Sequence, residues 1–431
     1  MTTQRIELAS SAVALNLAAL SSLWFCVMVQ RLLLASLIGA SSLLADFGIT
    51  AASAGLLASI YYIAYGAVQI PSGILADEAR PKGVILSATL ALAIASLLFA
   101  LAPTYEIAIV LRAIVGIASG FIWLTSLKLM AQIDERGYAR WVGAFVSVGS
   151  IGTTFSIGVL PLILAYLPWR WTVVLASVPL LVVPLALLRV AEAPKGAGRT
   201  ERPLGERVWA GLRRSWRTML HLVRLRRFWL LCFPVMIWNG IHFGMLTWLP
   251  RFTRDVLELD IRTTGVLAAL IPIGMIAGGY GAGHLFARRR SRGYVMLFGG
   301  YAVYGAGLTT IFAATQVPAL RPALFPVVLG LGLGYGFCFV GLSLLAEVVG
   351  LDELGTASGL YNALGFVPSF IFPWAMGAIM DVIDQPAVAD WRYSAAAYAG
   401  TFALAVAGVL VSFASAWLLS EHHATNCPAA R

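Results

Sequence analysis

Twelve predominantly apolar stretches run through this chain, each near the roughly 20 residues that carry a helix across a ~30 Å hydrocarbon core. They lie near 13–38, 50–76, 83–102, 104–131, 141–166 and 171–189, and again near 228–250, 262–286, 294–316, 323–347, 355–380 and 394–420. A soluble chain of 431 residues could not hide that much apolar surface, with 60% of its residues hydrophobic and 12% charged. The charged share is about half that of a soluble domain. Lipid is the solvent these stretches suit. The first is too long for a signal-peptide apolar region and no small-residue cleavage site follows it, so it is expected to stay as span 1.

The fold class expected is therefore an all-α membrane protein of about 12 transmembrane helices, here numbered as spans 1–12. They divide six and six. Residues 1–190 are expected to form one six-helix bundle, 191–227 a basic cytoplasmic linker, and 228–431 a second bundle. The formal charge of +10 invites a nucleic-acid reading, but its placement argues otherwise. Most Lys and Arg sit in short loops and in the linker, which holds Lys195, Arg199, Arg207, Arg213, Arg214, Arg217, Arg224, Arg226 and Arg227. With both termini cytoplasmic, the basic residues collect on the cytoplasmic side, as the positive-inside bias requires. The linker reads as a segment touching anionic lipid heads. A multi-pass protein of the cell inner membrane follows, with the bilayer as its partner and no role for nucleic acid.

Cys26, Cys232 and Cys338 fall in apolar stretches, and with Cys427 they form no CxxC and meet no His cluster. They read as small hydrophobes rather than metal ligands. No nucleotide loop, HExxH or catalytic triad pattern appears, so no catalytic residue, metal or cofactor is expected. Position supports duplication: Gly73-Ile-Leu-Ala-Asp77 ends span 2 as Gly283-His-Leu-Phe-Ala287 ends span 8. Duplicated halves place a solute site at their interface near the midplane and allow alternating access.

Gly73-Ile-Leu-Ala-Asp77-Glu-Ala-Arg80-Pro-Lys82-Gly resembles the G-x-L-A-D-x-x-G-R-R signature between spans 2 and 3 of the major facilitator superfamily. Arg112-Ala-Ile-Val-Gly116 resembles its R-x-x-x-G motif in span 4. The resemblance implies two six-helix bundles around a central cavity, with Gly73, Asp77, Arg80 and Arg112 as gating and loop-motif residues. It makes Asp77 the carboxylate that pairs with basic residues and caps a neighbouring helix. Arg112 is implied to pack and hydrogen-bond between helices. Glu78 stands where the superfamily has Arg, and Ala287 replaces the second-half Asp, which implies a weaker second latch. Gln30-Arg31 and Tyr65-Gly-Ala-Val-Gln69-Ile-Pro71-Ser-Gly73 resemble the anion:cation symporter branch, which moves organic anions. Span 5 lacks the G-P-x-x-G-G pattern of proton-coupled drug exporters.

An ionisable group at membrane depth is a functional candidate by default. Arg31 is the leading one, because its planar fork can donate two parallel hydrogen bonds to a carboxylate. Structural pairing and snorkelling are the competing readings. Lys128, near the end of span 4, is expected to snorkel. Asn239 and His242 share a face of span 7, three residues apart, and His242 is either a satisfied structural ring, a ligand contact or a proton carrier. Tyr61, Tyr65, Trp123, Tyr361 and Asn362 complete a plausible cavity. Gln30 and Ser119 stand where the branch carries Asp and Glu, so coupling would use His242, a substrate proton or a counter-anion.

The function expected is secondary active transport of a small organic anion, a carboxylate, by a monomer. The substrate-binding residues expected are Arg31, Tyr61, Tyr65, Asn239, His242, Tyr361 and Asn362. The rival readings are export of neutral amphiphiles and a solute sensor that does not transport.

Overall fold

The computed structural model describes residues 10–40, 42–135, 137–190, 203–289, 293–349, 354–384 and 392–426, and every regular element among them is helical. Among the described residues, eleven helices are long and apolar enough to cross a membrane: span 1 (Val13–Gly39), span 3 (Pro81–Ala100), span 4 (Tyr105–Ile133), span 5 (Arg140–Leu164), span 6 (Trp169–Leu187), span 7 (Arg226–Asp255), span 8 (Ile261–Arg288), span 9 (Gly293–Ala314), span 10 (Pro318–Leu345), span 11 (Thr356–Asp384) and span 12 (Ala395–Leu418). Span 2 is the twelfth, made of Ala51–Ala67 and Gln69–Glu78 meeting at 43°. Pro71, in the first turn of its second segment, offers no N–H to the Ala67 carbonyl, and that breaks the helix there. Of the predicted linker, 191–202 lies outside the described residues, and the helix Leu204–Leu222 follows it.

Packing repeats from one half to the other. Span 4 lies against spans 2 and 3 as span 10 lies against spans 8 and 9, and span 1 lies against span 5 as span 7 lies against span 11. The halves meet through spans 2 and 11, 5 and 8, and 1 and 7. Advancing each number by six, cyclically, exchanges the first two pairs and returns the third to itself. That is the relation a two-fold axis imposes on duplicated bundles.

The seam is tightest at the distal face, the side away from the linker helix. A Cβ on Gly55 would run into the Pro373 carbonyl, and one on Gly377 into the Ala51 carbonyl, so spans 2 and 11 touch backbone to backbone. Small residues permit such approach where lipid supplies no hydrophobic drive. Span 5 widens to a π-helical turn at Phe155–Val159 just before Pro161. There Ser156 Oγ donates to the Val29 carbonyl at 2.9 Å, and the Ser156 carbonyl accepts from Ser36 Oγ at 2.5 Å, tying span 5 to span 1. Cys26, Cys232 and Cys338 are buried free thiols, and Cys427 lies outside the described residues.

Candidate functional site

Span 4 presses against span 2 because Gly116 and Gly120 carry no side chain; a Cβ on Gly116 would meet the Tyr61 carbonyl, and one on Gly120 would meet Val68 Cγ2. Tyr61, Tyr62 and Tyr65 then surround the Arg31 guanidinium, with Cζ at 5.7, 5.7 and 4.9 Å from their ring centroids. Phe243 of span 7 and Phe366 of span 11 complete the enclosure at 5.4 and 5.1 Å. Tyr62 meets Phe243 at 4.4 Å between centroids and Tyr65 meets Phe366 at 4.8 Å. The cage therefore draws walls from both halves of the molecule.

Aromatic faces attract the cation but do not satisfy its donors. Arg31 Nη1 reaches only Met28 Sδ at 3.9 Å, and Nε and Nη2 are sealed from solvent with no hydrogen-bond partner. Each cation–π contact is worth about 0.5–2 kcal/mol. A buried donor left unmade costs about 1–3 kcal/mol, more on a charged group. The rings hold the guanidinium in place while Nε and Nη2, which share one edge, remain without acceptors. That edge matches a carboxylate or a similar oxyanion, which accepts two parallel hydrogen bonds.

Gln30 turns away from this cage. Its Nε2 donates to the Ala176 carbonyl at 3.2 Å and Ser177 Oγ at 3.1 Å, fastening span 1 to span 6. Arg112 is buried, donates from Nη1 to the Gln30 carbonyl at 3.0 Å while its Nε and Nη2 have no partner, and lies 5.3 Å from the Tyr61 ring, the only ring it faces in common with the cage. It braces the helix that carries Arg31.

The second cluster belongs to the C-terminal half. Asn239 Nδ2 donates to the Gly365 carbonyl at 3.2 Å, and its Oδ1 accepts from the Tyr335 hydroxyl. The His242 ring lies flat on Tyr335, centroids 3.4 Å apart and 4° from parallel, with Nδ1 unpartnered. The His242 ring lies 5.6 Å between centroids from Phe243, a wall of the Arg31 cage, which brings the two clusters together. Tyr361 is buried beside Gly341 and Val235, deep in its own half, with its hydroxyl unpartnered. No described contact joins Tyr361 or the half-buried Asn362 to the cage. Trp123 packs, tilted, against Trp24 at 4.7 Å and Phe145 at 5.7 Å between centroids, inside the N-terminal half.

The loop motif sits at the linker face. Gly73 packs on Leu124 and Arg80 is exposed at the start of span 3. Asp77 Oδ1 accepts from Lys128 Nζ at 2.7 Å, with both side chains reaching solvent at the linker face. Glu78, in the place of the usual Arg, pairs with Arg207 of the linker helix at 3.0 Å. Lys82 Nζ donates to the Leu188 and Val190 carbonyls at 2.7 and 2.9 Å.

Sequence reasoning missed Tyr62, Phe243, Phe366 and Tyr335, since an aromatic residue in an apolar helix gives no hint of the face it shares. It also missed the distal seal. Arg251 and Asp255 pair at 3.0 Å, 10% and 5% exposed, beside a cavity of about 690 Å³. Arg254 and Arg392 line the same cavity. Arg–Asp at i and i+4 was the available signal. Among the described residues no group of three or more His, Cys, Asp or Glu could hold a metal ion.

Comparison with known proteins agrees with this architecture. The family model of the Major Facilitator Superfamily matches residues 20–373. A Cupriavidus necator protein described as a probable sulfoacetate transporter, SauU, is 27% identical over 365 residues, covering 78% of this chain and 80% of that one. The probable L-galactonate transporter of Escherichia coli is 24% identical over 371 residues, covering 78% and 76%. Among solved structures, a bacterial homologue of the human lysosomal transporter Spinster, in an inward-facing and unoccupied conformation, superposes with a TM-score of 0.73 at 17% identity, covering 96% of this chain and 98% of that one. Twelve spans in two related bundles, a seam through spans 1, 2, 5, 7, 8 and 11, and a family match over most of the length lead to one conclusion: the chain belongs to the major facilitator superfamily and is a multi-pass membrane transporter of small solutes, not an enzyme.

Proposed function

We propose that this transporter moves a small organic anion, a carboxylate, by secondary active transport, with Arg31 as its anion-binding group. One observation carries the reading: a guanidinium caged by rings of both halves, with Nε and Nη2 buried without partners. Tyr61, Tyr62, Tyr65, Phe243 and Phe366 hold it at the seam of the two halves, where an anion bound to it would be exposed to each face in turn. Asn239, His242 and Tyr335 shape the wall contributed by the second half. The relatives' substrates support the same chemistry, since sulfoacetate and galactonate are both organic anions. Among the described residues Arg31 meets no carboxylate, and in this reading the coupling species is a proton travelling with the substrate or a counter-anion. The protein acts as a monomer in the inner membrane, with the linker face and both termini cytoplasmic; impermeant labelling of residues 203–222 from inside only is the expected result.

Uptake of sulfoacetate, galactonate and simple monocarboxylates into proteoliposomes is the test. Losing two charge-assisted hydrogen bonds of about 1.5–3 kcal/mol each lowers affinity by at least ~100-fold. Arg31→Ala should therefore abolish uptake of every anion that the wild type carries, with the variant still folded and monodisperse. Wild-type uptake by Arg31→Ala would overturn the assignment. Binding without flux in the wild type would favour a sensor.

A further inference from the structure

The linker helix Leu204–Leu222 lies outside the twelve spans and sorts its side chains into three stripes at about 100° per residue. One stripe faces the protein. Val208, Gly211, Leu212, Ser215 and Met219 are half-buried and Leu222 is buried. Gly211 packs against Ile74, where a Cβ would stand 2.7 Å from Cγ2. Arg207 pairs with Glu78 at 3.0 Å, and the same helix packs on span 11. The helix therefore touches both halves where spans 2 and 11 leave the membrane.

The second stripe is apolar and open. Trp209, Trp216 and Leu220 are 57%, 59% and 41% exposed, at spacings of seven and four residues that keep them on one side. The third is basic. Arg213, Arg214 and Arg217 are exposed beside it, against a single acid in the helix, Glu206. Arg213 Cζ lies 5.5 Å from the Trp209 ring, which joins the two stripes. Open tryptophans next to arginines are costly in water and favoured at a bilayer interface, where indole rings lie among headgroups and guanidinium groups reach phosphate. Ile74 and Glu78 occupy the last turns of span 2, so the helix sits at that depth.

We propose that the linker helix is an in-plane anchor that binds anionic phospholipid. Trp209, Trp216 and Leu220 enter the acyl boundary, and Arg213, Arg214 and Arg217 hold the headgroup phosphates. Because the helix is docked on spans 2 and 11 together, the lipid surface becomes a third contact at the seam between the halves.

The full chain, reconstituted in vesicles of phosphatidylcholine alone and of phosphatidylcholine mixed with phosphatidylglycerol, tests this without reference to transport. A nitroxide on Trp216→Cys should be relaxed by oxygen and shielded from a water-soluble nickel complex, whereas one on Arg214→Cys should be more open to nickel. In native mass spectrometry of protein released from the mixed vesicles, the Arg213→Gln/Arg214→Gln/Arg217→Gln variant should retain less phosphatidylglycerol, by about fivefold for each Arg removed. The corresponding Lys variant, which keeps the charge, should retain most of it. Free nickel access at position 216 would overturn the proposal, and so would equal phosphatidylglycerol retention by wild type and the Gln variant. A soluble protein captured on this face of the vesicle-bound chain, with position 216 open to nickel, would assign the stripe to that partner instead.

Discussion

Asp381 at the distal end of span 11 caps the first turn of span 2: its Oδ1 accepts from Ala51 N at 3.1 Å and its Oδ2 from Ala52 N at 2.8 Å. The Tyr393 hydroxyl donates to the same Oδ1 at 2.6 Å. Burial first, and the Asp381 carboxylate second, push that hydroxyl above its ordinary range, so it remains a donor well into alkaline conditions. The opposite charge sits on the opposite pole. Arg251 Nη1 donates to the Ile38 carbonyl at 3.4 Å and Arg254 Nη1 to the Gly39 carbonyl at 2.9 Å, at the C-terminus of span 1. Both helix ends belong to the N-terminal half and all the charges to the C-terminal half. Each charge has the sign that its helix dipole favours, and together they close the distal face.

Asp381→Asn keeps the shape of the cap and removes its charge. Losing a charged cap costs about 1–2 kcal/mol, which raises the distal-open population about five- to thirtyfold. Spin labels on the distal ends of spans 2 and 11 should then report a longer distance at a higher population than in the wild type. An unchanged distribution would mean that the cap does not hold the seam.

Asp255 accepts from Arg251 at 3.0 Å, from the Tyr398 hydroxyl at 2.9 Å and from Tyr393 N at 3.3 Å. Removing one member of so buried a pair costs about 3–5 kcal/mol, while replacing both with apolar residues of similar volume is far milder. Asp255→Ala should lower the unfolding midpoint sharply, and Arg251→Met with Asp255→Leu should restore most of it. Additive losses in that thermal-unfolding cycle would show that the two side chains act independently.

Gly377 is one of two backbone-to-backbone approaches of span 11 to span 2, and a side chain there would meet the backbone of Ala51 and Ala52. Overpacking costs about 1–3 kcal/mol even where side chains can give way. Gly377→Val is expected to hold the distal seam apart and cut uptake more than tenfold. Gly359→Ala, on the same span with nothing within 4 Å of its new methyl, is the matched control and should transport normally. Normal uptake by Gly377→Val would show that this close approach is dispensable.

His242 is 3% exposed and lies against Tyr335. His242→Phe preserves the stacked ring and should change stability by less than about 1.5 kcal/mol. His242→Ala leaves a cavity costing about 2–4 kcal/mol. The pH profile of uptake should be the same in His242→Phe as in the wild type. A displaced profile in the Phe variant would identify His242 as a proton carrier in the transport cycle.

Much of the architecture was legible in the chain itself. A span is a sum of hydrophobicity over some twenty residues, which is a one-dimensional quantity, and the twelve stretches emerged within a few residues of their ends. The duplication was legible for the same reason, since equal counts of spans and matching positions survive even where side chains have diverged. Arg31 stood out because a lone cation in an apolar helix is costly anywhere in the bilayer.

Which way each side chain points was decided only by tertiary structure. In a helix that faces lipid on one side and protein on the other, both faces are apolar, so the periodic contrast that orients a soluble helix is nearly absent. Nothing along the chain distinguishes Tyr62, Phe243 and Phe366, which wall in Arg31, from Trp123, which packs away from it. Gln30, adjacent to Arg31 in sequence, faces span 6 because one residue is about 100° of helix. The distal seal needed most from the fold, since Asp381 and Ala51 are 330 residues apart and only the packing of span 11 on span 2 brings a carboxylate to an open helix end.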